Sequence, residues 1–205
     1  MNASLPTALR PTDTHRAKLA SDIGGSVIEL PKCVLSFQES GDQNVWDWAN
    51  NEAMNNGKPL VDWEGAPMFA ELAVVNILKA DGWQAYWSEC YGGTTVFLDR
   101  MPNLPKGTKS AKLKQFGIAI DRSKIELIEG IRKNCNTSNH SCLDVIAWKN
   151  EQTIFVEMKN NGRGKSGRKA RDDLTKPQLR FIDSAIRMGL TIDRFLVAEW
   201  QFSPS

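Results

Sequence analysis

The sequence predicts an α/β fold with a mixed central sheet flanked by helices. Three observations predict it. An apolar helical run over 67–80 is followed by two strand-like stretches. Two alternating strands, 143–148 and 153–159, are separated only by a short polar turn. A helical stretch over 175–188 then leads into a closing strand, 194–200.

The elements follow in chain order. Residues 1–25 are polar and without periodicity, and read as a flexible N-terminal arm. Residues 26–65 read as an extension packed on the core, with short strands at 27–30 and 34–37 on either side of Pro31 and a short helix over 44–55. The main domain spans 66–205. Its first helix opens with Pro67 in the first turn and ends at Asp81-Gly82. Strands at 83–88 and 94–98 surround a Tyr91-Gly92-Gly93 turn. Residues 101–113 are a loop, 116–120 a strand, and 124–133 has helical spacing.

Composition narrows the function classes. The chain has 205 residues, is 41% hydrophobic and 24% charged, and carries a net charge of +2, which excludes a uniformly basic, histone-like binder. No apolar run reaches the length of a membrane span, and 1–21 has no signal-like apolar core, so a cytoplasmic protein without a membrane partner is expected. Cys33, Cys90, Cys135 and Cys142 are widely spaced and contain no CxxC, which suits reduced thiols. Cys135, His140 and Cys142 have only a loose metal-like spacing, and a polar loop is the better reading. The charge is unevenly distributed. Residues 159–180 hold eight basic side chains against two acidic ones, with glycines at 162, 164 and 167. Arg163, Lys165, Arg168, Lys169, Arg171 and Lys176 of this segment are candidates for tracking phosphates.

The 143–159 hairpin carries the chemistry. Alternation puts Thr153, Phe155, Glu157 and Lys159 on one face of the second strand, and Asp144, Ile146 and Trp148 on one face of the first. A two- or four-residue turn centred on Asn150-Glu151 makes Asp144 the direct partner of Glu157; a three- or five-residue turn breaks that register. Two apposed carboxylates repel. A divalent cation resolves the conflict, since Mg²⁺ takes one or two carboxylates together with water and substrate phosphate. Lys159 adds a compact cation beside them. The bland alternative is that these are solubilising charges on an edge strand.

An acid on one strand, Glu157-Met158-Lys159 on the next, and helices before and after resemble the PD-(D/E)xK nuclease superfamily. The stretch Val156-Glu157-Met158-Lys159 with Gln178-Leu179-Arg180-Phe181 is similar to its VRR-NUC branch and to RecB-like nucleases. The resemblance covers about 66–200. It departs from the pattern at Leu143, which stands in place of a proline that many members also lack, and in the long stretch between Lys159 and Gln178. It implies a restriction-endonuclease-like αβββαβ core and Mg²⁺-dependent cleavage of nucleic acid; the expectation is a Mg²⁺- or Mn²⁺-dependent DNA endonuclease, with exonucleolytic cutting and an RNA substrate as open alternatives and a homodimer as a candidate assembly. It also implies metal ligation by Asp144, Glu157, the Met158 carbonyl and Glu71 of the apolar helix, and site roles for Lys159, on water or phosphate, and Gln178. Two of these residues have purely structural explanations as well. Glu71 suits a helix N-terminus, and Thr175-Lys176-Pro177-Gln178 spells a capping box. The rival reading of the whole chain is a catalytically inactive module that keeps the fold and binds nucleic acid or another partner.

Overall fold

The computed structural model describes residues 4–19, 25–41, 59–91, 94–102, 114–135, 142–161 and 173–204. The strands are β1 (Asp13–Lys18), β2 (Val27–Glu39), β3 (Val61–Trp63), β4 (Ala66–Met68), β5 (Gln84–Tyr91), β6 (Thr94–Leu98), β7 (Val145–Lys149), β8 (Gln152–Asn160) and β9 (Phe195–Phe202). The helices are α1 (Ala70–Ala80), α2 (Arg122–Asn134) and α3 (Lys176–Arg187). All nine strands join one mixed sheet in the order β4-β3-β2-β9-β8-β7-β5-β6, with β1 paired to β2. The expected α/β class with a mixed sheet is therefore present.

The sheet separates two apolar layers. On one face, Leu72, Val75 and Leu78 of α1 pack with Val145, Ala147, Ile154, Val156 and Leu196. On the other, Ile128 and Ile131 of α2 and Phe181 and Ile182 of α3 pack with Ile146, Phe155 and Phe195. Phe155 stacks on Phe195 at 5.8 Å and meets Phe181 edge-on at 5.4 Å. All three are buried, and burial of each such side chain contributes roughly 1.5–3 kcal/mol.

Four expectations are corrected. The first concerns the N-terminus, where Asp13–Lys18 is a strand instead of part of a flexible arm, antiparallel to β2 from Asp13↔Lys32 to Lys18↔Val27. Its side chains are mostly polar and exposed, so backbone pairing defines it and hydrophobic periodicity does not. The second concerns 27–39, which is one strand that runs through Pro31. Pairing with β9 begins only at Lys32, so proline's missing N–H falls where the β9 side of β2 is not yet laddered. The third concerns Pro67, which lies in β4 opposite Asp62, so that α1 starts at Ala70. The β3–β4 turn uses the positive φ of Glu64 (53°) and Gly65 (82°), and Asp62 Oδ1 accepts the Gly65 N–H at 2.8 Å. Residues 116–120 are not a strand, although the Ile118 N–H donates to the Phe97 carbonyl. The helix expected over 44–55 lies outside the described residues.

Candidate functional site: an acid pair with a buried lysine

Strands β7 and β8 form the hairpin that builds the site. Lys149 pairs with Gln152 and Val145 with Val156, so the turn is the two residues Asn150-Glu151, with Asn150 at φ 56°. Asparagine tolerates that left-handed conformation. One step further along this register, Asp144 stands opposite Glu157. The Ser88 N–H holds the Asp144 carbonyl at 2.8 Å, and Asp144 Oδ2 accepts the Met158 N–H at 2.8 Å. Backbone contacts therefore fix the acid just before β7.

Glu157 is almost completely buried, at 2% exposure. Its Oε1 accepts from the Gln178 side-chain amide and lies 3.1 Å from Lys159 Nζ. Its Oε2 is buried and has no hydrogen-bond partner among the described residues. Burial pushes the Glu157 carboxyl well above its usual range, the nearby Asp144 charge pushes in the same direction, and Lys159 opposes them. Burial and the Asp144 charge thus favour the protonated form of Glu157, and Lys159 favours the ionised one. The fit to a divalent ion rests on this arrangement: two carboxyl groups within interaction range and one buried carboxylate oxygen lacking a donor. Among the described residues no three His, Cys, Asp or Glu side chains converge on a metal position. Two carboxylates nevertheless match what Mg²⁺ commonly takes from a protein.

Gln178 has two roles. Thr175 is the N-cap of α3, and the reciprocal capping box with Gln178 is present. Gln178 Oε1 accepts the Thr175 N–H at 2.8 Å and lies 3.4 Å from Lys159 Nζ. Its amide nitrogen is thereby left to face Glu157. The cap sets the side chain's orientation and directs its donor at the acid.

The other candidate residues are more dispersed. Glu71 is buried in the first turn of α1, whose apolar side chains pack on the sheet face opposite α3. The Met158 side chain points into that same layer. Lys176 is exposed at the start of α3. Arg163, Lys165, Arg168, Lys169, Arg171 and His140 lie outside the described residues. Trp148 is buried and stacked on Tyr86 at 5.3 Å, which makes it a core residue and not a platform for bases.

Sequence reasoning missed a row of charges that continues beside Lys159. Lys159 pairs in register with Glu199 of β9. Lys32 of β2 bridges Glu199 at 3.6 Å and Asp13 of β1 at 2.9 Å, and Asn161 donates to Glu199 at 3.3 Å. His15 of β1 is half-buried. Burial lowers its pKa, Asp173 and Glu199 act against that, and Lys32 and Lys159 reinforce it. No signal in the sequence points to these residues, because they are brought together by the long-range pairing of β1, β2 and β9.

Among the described residues no helix is long and apolar enough to cross a membrane. No family model matches the chain, and no curated protein or solved structure matches it either.

Proposed function

We propose that the protein is a Mg²⁺- or Mn²⁺-dependent nuclease that hydrolyses DNA phosphodiester bonds. The observation that carries the reading is the closeness of Asp144 and Glu157, whose charges act on one another, with Lys159 3.1 Å from Glu157. The succession α1, β5, β6, β7, β8, α3, β9 is compatible with a restriction-endonuclease-like αβββαβ core in which β6 and α2 elaborate the meander.

Each residue has a defined task in this reading. Asp144 and Glu157 would hold the cation. When bound, the ion supplies Lewis-acid polarisation and neutralises charge that develops on the phosphate. Lys159 and Gln178 hold Glu157 Oε1, so that Oε2 is the oxygen offered to the ion. Lys159 also supplies positive charge where water or a phosphate oxygen would be oriented. Asp144, half-buried, is the more accessible acid.

Plasmid nicking with Mg²⁺ or Mn²⁺, with and without EDTA, tests this proposal. Cleavage is expected only with metal and is expected to vanish in Lys159→Ala. Cleavage that survives both EDTA and that substitution overturns it. One observation favours a second reading, a non-catalytic binding module: Lys159 and Glu157 are 5% and 2% exposed and engage each other and Gln178. Salt-dependent DNA binding without metal-dependent turnover would select that reading.

A further inference from the structure

Two cysteines far apart in sequence meet on the other side of Asp144. Cys90 lies near the end of β5, and Cys142 lies two residues before Asp144. Their sulfurs are 2.7 Å apart, and both residues are half-buried. The segments that carry them are held together from below. The β5–β7 register runs through Trp87↔Val145, the Ser88 N–H donates to the Asp144 carbonyl at 2.8 Å, and the Ser88 hydroxyl donates to the Leu143 carbonyl. Continued along that register, Cys90 falls opposite Cys142. The approach of the sulfurs thus follows the direction that the β5–β7 pairing and the two Ser88 hydrogen bonds set for both segments. The other two cysteines differ: Cys33 is buried at 1% exposure, and Cys135 points its thiol at the Ile131 carbonyl at 3.2 Å.

We propose that Cys90 and Cys142 form a reversible disulfide site, oxidised by low-molecular-weight disulfides, that covalently ties β5 to the segment leading into Asp144. The proposal is independent of the nuclease reading, because it concerns the two sulfurs and their strands only. Cys90 is the attacking group, and its hydrogen bond with Cys142 draws its pKa down to about 7, where thiolate is available near neutral pH. With oxidised glutathione, the Cys90 thiolate attacks one sulfur of the reagent. That S–S bond breaks, one glutathione leaves as thiolate and takes up the proton Cys90 gave up, and a mixed disulfide remains. The Cys142 sulfur then attacks the Cys90 sulfur and releases the second glutathione with the proton from Cys142. Two protein thiols are oxidised, and one reagent disulfide is reduced to two thiols.

The full chain is treated with oxidised glutathione, and its intact mass and non-reduced peptide map are measured. The expected result is loss of two hydrogens, a single linked peptide pair containing residues 90 and 142, and reversal by dithiothreitol. The thermal midpoint should rise by roughly 5 °C on oxidation. Cys142→Ser should stop at one retained glutathione on Cys90, whereas Cys33→Ser should behave like the unsubstituted chain. Stable glutathione adducts on the unsubstituted chain without a cross-link, or a cross-link through Cys33 or Cys135, overturn the proposal. The peptide map of the unsubstituted chain decides even if Cys142→Ser does not fold.

Discussion

Gln178 donates its amide to Glu157 while its carbonyl oxygen accepts the N–H of Thr175, the residue that caps its own helix. One side chain thus joins the start of α3 to the buried acid of β8. A helix-capping interaction and a site interaction share the same rotamer.

Gln178→Ala removes both interactions. It should cost about 1–2 kcal/mol in urea denaturation through the lost cap and the lost donor. Gln178→Glu keeps an acceptor for Thr175 but turns a carboxylate towards Glu157. It should be the more destabilising of the two at pH 8, and its deficit should shrink in acid. Equal effects at both pH values would show that Gln178 acts through the cap alone.

The metal-free protein should lose stability as pH rises. The Glu157 carboxyl is raised above its ordinary value of 4.5 by burial first and by Asp144 second. The folded state therefore keeps a proton that the unfolded chain releases. The contribution is fully present below 4.5 and is lost as pH climbs towards the folded value. Glu157→Gln should flatten this decline in a pH series of denaturation curves. It should also abolish any rise in thermal midpoint caused by Mn²⁺, which Mn²⁺ should produce in the unsubstituted chain.

Lys159→Ala should destabilise the fold by about 3 kcal/mol, because it leaves the buried Glu157 without its cation. Glu157→Gln in the same chain should recover much of that loss while leaving nicking activity absent. A double-mutant cycle measures the coupling, and additive losses would show that the 3.1 Å contact contributes little.

Inserting one residue between Asn150 and Glu151 should uncouple the acids. The Lys149↔Gln152 closure fixes the partners along the hairpin, and a one-residue slip sends alternate side chains to the other face. Nicking should be lost together with the Mn²⁺ stabilisation. Retention of both would mean that the acid pair does not depend on this register.

The parts of the fold legible in the sequence were those governed by local chemistry. Polar residues between two alternating runs defined the β7–β8 register up to one conditional choice of turn length, and Asn150 at φ 56° realises it. The capping box at Thr175 and Gln178 marked the start of α3 to the residue. The spacing of Ile125, Ile128 and Ile131 located α2, although its N-cap, Asp121, was not anticipated. What escaped was non-local. β1 has one buried side chain, Ala17, so periodicity had nothing to detect. Pro31 looked like a break because the ladder that would have excluded it starts one residue later. Lys32, Glu199 and Asp13 acquire their relationship only when strands from the two ends of the domain lie side by side. Charge spacing did bring Asp144, Glu157 and Lys159 to attention, but it carried no information on how deeply the last two are covered.

The position of β9 has a kinetic consequence. It is flanked in parallel by β2 and β8, so two neighbours from distant stretches of chain must wait for it. Folding should then be slow for a domain of this size, with closure of the sheet as the late step. Until that step, β8 would present an unsatisfied edge to other chains, and Lys159 would lack its lateral neighbour Glu199. Refolding at high protein concentration should therefore favour aggregation over recovery, and cation affinity should emerge last, together with the final strand.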